Sequence, residues 1–283
     1  MTTTVRKKIK ETIGRVAGMT RVLERRFRSK MIIVAFHRVS DALPEDGMTH
    51  SSSKFEEYCE FFRKHFKVIP LSMQVAGRAA VSELGGTLSI TLDDGYRDNF
   101  ETAAPILRKL NLPATFFVTT GFIGSQTVAP WDRHLVRQPG WMDWDQVRNL
   151  TSQGFEIGCH TDSHIDLGTT DAETVRAELA VSKQKLQDQL GRPARLFAYP
   201  FGGRDNISER SLELVREAGF SCCLSCFGGV NALSASPFRL TRIPIARGFE
   251  TPDQFGFDMV FGRGVCVAPP MPLAARPIGR QLA

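Results

Sequence analysis

Long apolar runs are missing from this chain. The longest early one is "MIIVAF" at 31–36, far short of the roughly 20 residues that cross a bilayer as a helix. The N-terminus also lacks the apolar segment of about 7–15 residues that marks a secretory signal. The expected location is therefore the cytoplasm. Cysteine is scarce, with six in 283 residues, which excludes a disulfide scaffold. No repeat of fixed period appears, so a solenoid or propeller is not expected. No nucleic-acid module follows the basic start, and nucleic acid is not an expected partner.

Charge of one sign is abundant only at one end. Residues 1–30 hold ten Lys/Arg against two Glu, while the remainder has 26 Lys/Arg against 28 Asp/Glu. The net charge of +6 thus describes a leader and not the body. Val5, Ile9, Ile13, Val16, Val22, Leu23 and Phe27 recur at near-helical spacing within it. The expectation is a basic helical leader over 1–30. It either docks on the domain by that stripe or touches an anionic membrane surface. The last residues, 263–283, are rich in proline and read as a loose tail. That leaves 31–262 as one domain.

Within the body, strand-like runs recur at 31–36, 88–92, 114–119, 155–159, 195–199, 219–224 and 239–245. Helical patterns lie between many of them. "SSSKFEEYCEFFRKHF" opens on serines and puts Phe55, Tyr58, Phe62 and Phe66 on one face. Asp143 with Gln146 is a capping box, and Gly154 a stop. Residues 171–190 are amphipathic, and a further helix is expected from a cap at Asn206 to Gly219. Alternation of this kind implies α/β architecture with a parallel sheet or barrel. Seven strands favour barrel-like closure, and functional groups are then expected where strands end.

Two strand ends stand out. In "SITLDDGYRDNF" (89–100) an apolar strand ends on Asp93 and Asp94. Paired buried carboxylates repel, although Asp-Gly alone would also read as a turn. In "HTDSH", after strand 155–159, His160 and His164 stand four apart, a spacing that can aim two imidazoles at one ion. Two His with one Asp make a three-ligand site that keeps a position open for water. A cation would relieve the repulsion and acidify that water, and the second carboxylate would take the proton.

In order, "SITLDDGYRDN", "HTDSH" and "FAYPFGG" resemble three motifs of the polysaccharide deacetylases, the NodB-homology hydrolases. The resemblance covers roughly 31–250. It implies a distorted (β/α) barrel of about seven strands that removes acetyl groups from acetylated carbohydrate. It makes Asp93 the base and Asp94, His160 and His164 the ligands of a divalent metal, Zn²⁺ foremost. It also makes the amide of Phe201 an oxyanion donor. Two departures are visible. Ala198 stands where many members carry an arginine, and the last strand holds no histidine. His37, in "AFHRV" after the first strand, matches a branch that carries an early histidine, and is the expected acid. Arg242 is a candidate to replace the missing arginine, with an ordinary structural arginine as the alternative.

The expected substrate is an N-acetylhexosamine unit of a glycan or glycan precursor. An O-acetyl ester or other small amide, and a noncatalytic carbohydrate-binding relative, are the alternatives. Cys223 and Cys226 form a lone CxxC and read as buried hydrophobes. Trp131 or Trp141 could stack on a sugar. His50, His65 and His134 have no constellation around them.

Overall fold

The structure, a computed structural model, describes residues 3–19, 22–76, 84–245 and 251–262. The expected tail at 263–283 lies outside them. The chain opens on α1 (Thr3–Met19) and α2 (Val22–Phe27) and enters β1 (Lys30–Phe36). A short pair, β2 (Arg38–Val39) and β3 (Thr49–His50), precedes α3 (Ser52–His65), β4 (Lys67–Val68) and α4 (Leu71–Ala76). Then follow β5 (Thr87–Leu92), α5 (Ala104–Lys109), β6 (Thr115–Val118), α6 (Trp144–Ser152), β7 (Glu156–Cys159) and α7 (Ala172–Leu190). After α8 (Glu209–Glu217) come β8 (Leu224–Ser225), β9 (Asn231–Ala232), β10 (Leu240–Thr241) and β11 (Ile243–Pro244), and α9 (Pro252–Phe261) follows.

The main sheet runs β11-β1-β5-β6-β7, all parallel, with β4 beside β5 and β9 antiparallel to β1. Single bridges carry the pairing on, from Cys159 to Phe197 and from Ala198 to Leu224. β8 then pairs β10. β10 and β11 belong to one stretch of chain, which pairs with β8 before Arg242 and with β1 after it. The circuit of a distorted barrel thus closes at Arg242. The expected strand at 195–199 is reduced to bridges, because it changes partner at Ala198 and ends at Pro200, which has no N–H to give. Of the expected strand at 219–224, only its last residue lies in β8.

Strand alternation sorts the core. Ile32, Val34 and Phe36 of β1 and Leu88, Ile90 and Leu92 of β5 pack under the helices. Met31 and Ile33 point the other way, with Phe117, Leu196, Leu224 and Leu240. On β5 that second face carries Thr87, Ser89 and Thr91, all buried. Helix boundaries follow local chemistry. Asp143 and Gln146 form the capping box of α6, and Asp171 caps α7. α8 is capped by Ser208 and not by Asn206, whose side chain is drawn off to Asp166. Ser51 precedes α3 without a side-chain cap, because its hydroxyl donates to Glu45. α1 lies against α9. A Cβ on Gly14 would come within 1.9 Å of the Asp253 carbonyl oxygen, so only glycine permits the approach. Among the described residues no helix is long and apolar enough to cross a membrane.

Candidate active site

Asp93 continues the inward register of Thr87, Ser89 and Thr91. The next residue of a strand would face away, yet Asp94 faces the same site. Its φ of 74° breaks the alternation, and Gly95 (φ 90°) completes the turn. Two adjacent carboxylates therefore converge with opposite surroundings. Asp93 Oδ1 accepts a 2.6 Å hydrogen bond from the guanidinium of Arg242. That guanidinium is fully buried and also donates to Thr91 Oγ1 (3.1 Å) and to the Ser225 carbonyl (3.2 Å). Burial pushes the Asp93 carboxyl up, but Arg242, with His160, holds it below the usual range.

Asp94 faces two imidazoles. Its Oδ1 stands 3.3 Å from Nε2 of His160 and 3.3 Å from Nε2 of His164. Ligand atoms of the three residues all lie within 4.8 Å of one another, and all three side chains are buried. Burial opposes ionisation of Asp94, yet the two imidazoles pull it well below the carboxylate range. Among the described residues neither of its carboxylate oxygens has a donor in regular hydrogen-bond geometry; the two imidazole nitrogens at 3.3 Å are its nearest polar neighbours. Buried carboxylate oxygens without donors are costly. A cation seated between the carboxylate and the two nitrogens would satisfy them, so the residues fit a divalent metal.

One imidazole is held directly from behind and the other through its turn. His160 Nδ1 lies 2.9 Å from the carbonyl oxygen of Ala198. A carbonyl only accepts, so Nδ1 carries a proton and Nε2 is the nitrogen left to face Asp94 or a cation seated there. His164 sits in a tight turn with two left-handed residues, Thr161 (φ 64°) and His164 itself (φ 58°). Its N–H donates to Thr161 Oγ1 (3.0 Å). Glu178 of α7 clamps the middle of that turn. Its Oε2 accepts the amides of Asp162 and Ser163, both at 2.9 Å, and its Oε1 accepts the Ser163 hydroxyl at 2.5 Å.

Phe201 occupies the rim. It is 56% exposed and has a φ of 60°. The Gly202 amide donates to the Pro200 carbonyl (2.6 Å), closing a three-residue turn about Phe201. Among the described residues the Phe201 N–H donates to no protein acceptor. His37 follows β1 and is partly exposed, and its charge is felt at Asp93, Asp94 and His164. Its carbonyl accepts from the Asn99 side chain (2.7 Å). Among the described residues its ring makes no hydrogen bond to Asp93 or Asp94.

Several contributors carry no sequence signal. Glu178 looks like any polar residue of an amphipathic helix. Arg38, directly after His37, is 1% exposed and binds Asp132, Asp46 (2.9 Å) and Thr49 (2.8 Å). Trp141 is buried and stacked on Tyr96 at 4.6 Å, so it is unavailable to a ligand. Cys222 and Cys223 are buried free thiols, and Cys226 is a partly buried one. His50 and His65 are buried, and His134 is exposed.

A family model described as polysaccharide deacetylase matches residues 81–223. That range holds Asp93, Asp94, His160, His164 and Phe201, and leaves His37 and Arg242 outside. YxkH of Bacillus subtilis (strain 168), named as a candidate polysaccharide deacetylase, is 25% identical over 161 residues, 57% of this chain and 52% of YxkH. The peptidoglycan-N-acetylmuramic acid deacetylase PdaA of the same bacterium is 24% identical over 135 residues, 47% of this chain and 44% of PdaA. The chain thus spans about half the length of these curated relatives. Among solved structures, the Streptococcus pyogenes deacetylase PplD, in complex with acetate, aligns with a TM-score of 0.67 at 20% identity. It covers 80% of this chain and 96% of that one. IcaB from Ammonifex degensii aligns with a TM-score of 0.65 at 22% identity, over 81% and 96%. At these identities the likeness establishes the shared fold, a (β/α) barrel.

Proposed function

Because this chain belongs to the polysaccharide deacetylase family, we propose that it is a metal-dependent hydrolase removing acetyl from N-acetylhexosamine units of a polysaccharide, oligosaccharide or glycan precursor. The observation that carries this reading is the buried Asp94–His160–His164 group beside an Asp93–Arg242 pair. Nitrogen and carboxylate donors suit zinc, and such a cation would polarise the acetyl carbonyl and acidify water in its open position. Asp93 accepts a proton from the attacking water. Arg242 keeps that carboxylate ionised and aimed, as the family's missing arginine would. The Phe201 N–H donates to the carbonyl oxygen as negative charge develops there. His37 protonates the leaving amine.

We place the reaction in the cytoplasm or at an anionic membrane surface touched by residues 1–30. Acetate release from N-acetylglucosamine oligomers by zinc-loaded protein tests the function. Asp93→Asn should keep the metal and lose turnover, whereas Asp94→Ala should lose both. His37→Ala should slow the amide by roughly 10²–10⁴, and an activated acetyl ester much less, because its leaving group needs little protonation. Unchanged metal content in Asp94→Ala would sink the ligand assignment. Normal amide turnover in His37→Ala would remove the acid. Release of acetate from O-acetylated sugars alone would make the protein an esterase on the same scaffold.

A further inference from the structure

His37 is aimed without help from its own ring. Among the described residues the imidazole has no hydrogen-bond partner, and only the backbone around it is gripped. A side chain so placed takes its position from the chain that carries it. An acid that must come within hydrogen-bond reach of a leaving amine needs that position fixed. A displacement of about 1 Å can cost roughly 10²-fold in rate.

The grip comes from one short stretch, residues 93–99. The Asp93 amide donates to the Phe36 carbonyl (3.0 Å). The Asn99 side-chain amide donates to the His37 carbonyl (2.7 Å). Asp98 Oδ1 accepts the Val39 amide (3.1 Å) and a second bond from the Asn99 side chain (2.9 Å). Backbone groups of Phe36, His37 and Val39 are thus held by the stretch that opens on Asp93 and Asp94. Arg38 anchors the same segment by its side chain, through Asp132, Asp46 and Thr49.

Asn99 is fully buried. The His37 carbonyl only accepts, so the nitrogen of the Asn99 amide faces it and the oxygen faces away. That oxygen, Oδ1, is buried with no donor among the described residues. A buried acceptor without a donor costs stability, so packing alone would favour an apolar residue here. The backbone is irregular at the same point. The chain winds as a π turn over Asn99–Ala103, and the Ala104 amide reaches back five residues to the Asn99 carbonyl. Such turns are rare and recur at functional sites. An orphaned acceptor and an irregular turn therefore meet at a residue whose side chain, outside its own stretch, hydrogen-bonds the His37 carbonyl. We propose that Asn99 is a positioning residue, which through that carbonyl fixes where the His37 imidazole stands relative to Asp93. This rests on the deacetylase reading with His37 as its acid, and adds the residue that places the acid. Acid and base are then set by one stretch of chain, and Asn99 acts through the backbone of its neighbour without meeting the substrate.

The test compares zinc-loaded wild type with Asn99→Leu, His37→Ala and the variant carrying both changes. The substrates are an N-acetylglucosamine pentamer and 4-nitrophenyl acetate, whose leaving group needs little protonation. Asn99→Leu keeps the volume and removes the donor, and Asn99→Ala repeats the comparison should the leucine not pack. We expect kcat on the pentamer to fall roughly 10–100-fold, with KM and zinc content near wild type and the ester hardly slowed. The variant with both changes should be no slower on the pentamer than His37→Ala, because coupled residues are not additive. A loss that adds to that of His37→Ala, or that falls equally on the ester, overturns the inference, because Asn99 would then serve the fold alone. Failure of both Asn99 variants to fold overturns it for the same reason. If His37→Ala deacetylates normally, the acid lies elsewhere and the inference fails while the deacetylase reading stands. If wild type deacetylates nothing, the deacetylase reading fails. The ring-proton resonances of His37, identified by their loss in His37→Ala, then decide this inference alone: shifted in the folded Asn99 variant they support it, and unmoved they refute it.

Discussion

Carboxylates placed within a few residues of each other acquire opposite tendencies here. Asp93 and Asp94 are held ionised by Arg242 and by the two imidazoles, whereas burial pushes Asp98 up to about 6. Asp98 accepts from the Val39 amide (3.1 Å) and the Asn99 side chain (2.9 Å), and these bonds do not offset its desolvation. An unfolded Asp titrates near 3.9. Between about pH 4 and 6 the folded chain therefore holds a proton that the unfolded chain releases, and stability falls as pH rises through that window. Asp98→Asn keeps an acceptor and removes the charge. It should raise stability above pH 6 by about 1–3 kcal/mol and change little below pH 4, measured by urea unfolding at both ends. An equal gain at pH 3.5 would show that the carboxylate is not the cause. His50, pushed down to about 4 by burial, contributes the opposite slope, stability lost as pH falls from about 6.5 toward 4, so the comparison must be made against wild type at each pH. At this scale the sequence revealed residue types and spacing, which sufficed for the two aspartates and two histidines. It did not reveal that Asp94 is left-handed, because nothing but the following glycine hints at φ. Nor did it reveal that Arg38 is buried, because its partners come from two later segments, Asp46 and Thr49 from the stretch leading into β3 and Asp132 from the turn after Pro130.

Elements deliver the site more than they decorate it. α7 packs behind β7, and through Glu178 it holds a turn whose strained residues flank the second imidazole. Lys185 of the same helix, and Thr120 after β6, grip Asp162 in that turn at 2.8 and 2.5 Å. Glu178→Ala should therefore weaken metal binding roughly 10–100-fold, the usual effect of losing support behind a ligand. Glu178→Gln, still able to accept the two amides, should stay much nearer wild type. Competition with a chromophoric chelator reads this without any substrate, and an unchanged affinity in Glu178→Ala would dismiss the clamp. β1, β5, β6 and β7 were legible because each carries apolar residues in a run long enough to read as extended chain and pairs along the central path of the sheet. The stretches at 195–199 and 219–224 were legible as extended chain but not as ladders. Their pairing changes partner almost residue by residue, from Cys159 to Leu224 and from Arg195 to Pro237, and composition does not record partners. Arg242 shows the same limit. Within a basic, apolar run it reads as one residue among several, and its meaning comes from sitting where the last stretch passes from β8 to β1.

For the whole molecule, the N-terminal segment presents two faces. One joins the body. Leu23 and Phe27 of α2 lie in the main core, and Lys10 and Arg15 of α1 pair with Asp258 and Asp253 of α9. The other is open, with Ile9, Ile13 and Val16 at 42%, 39% and 52% exposure. Substitutions should separate them. Leu23→Ala should destabilise the fold by about 2–5 kcal/mol, visible in thermal melts. Ile13→Asp should leave the melt unchanged and weaken co-sedimentation with anionic vesicles, most clearly at low salt. Vesicle binding unchanged by Ile13→Asp would remove the membrane contact. The barrel's point of closure has a temporal consequence. The three candidate metal ligands are all present once His164 has been made, but Asp93 and Arg242 are 149 residues apart. A nascent chain leaving the ribosome therefore owns the candidate ligands well before it owns the arginine that binds Asp93. On the proposed function, a product that stops short of the last strand would carry the candidate ligands but lack the arginine that fixes Asp93, so the pairing of Arg242 with Asp93 is the last part of the site to become available.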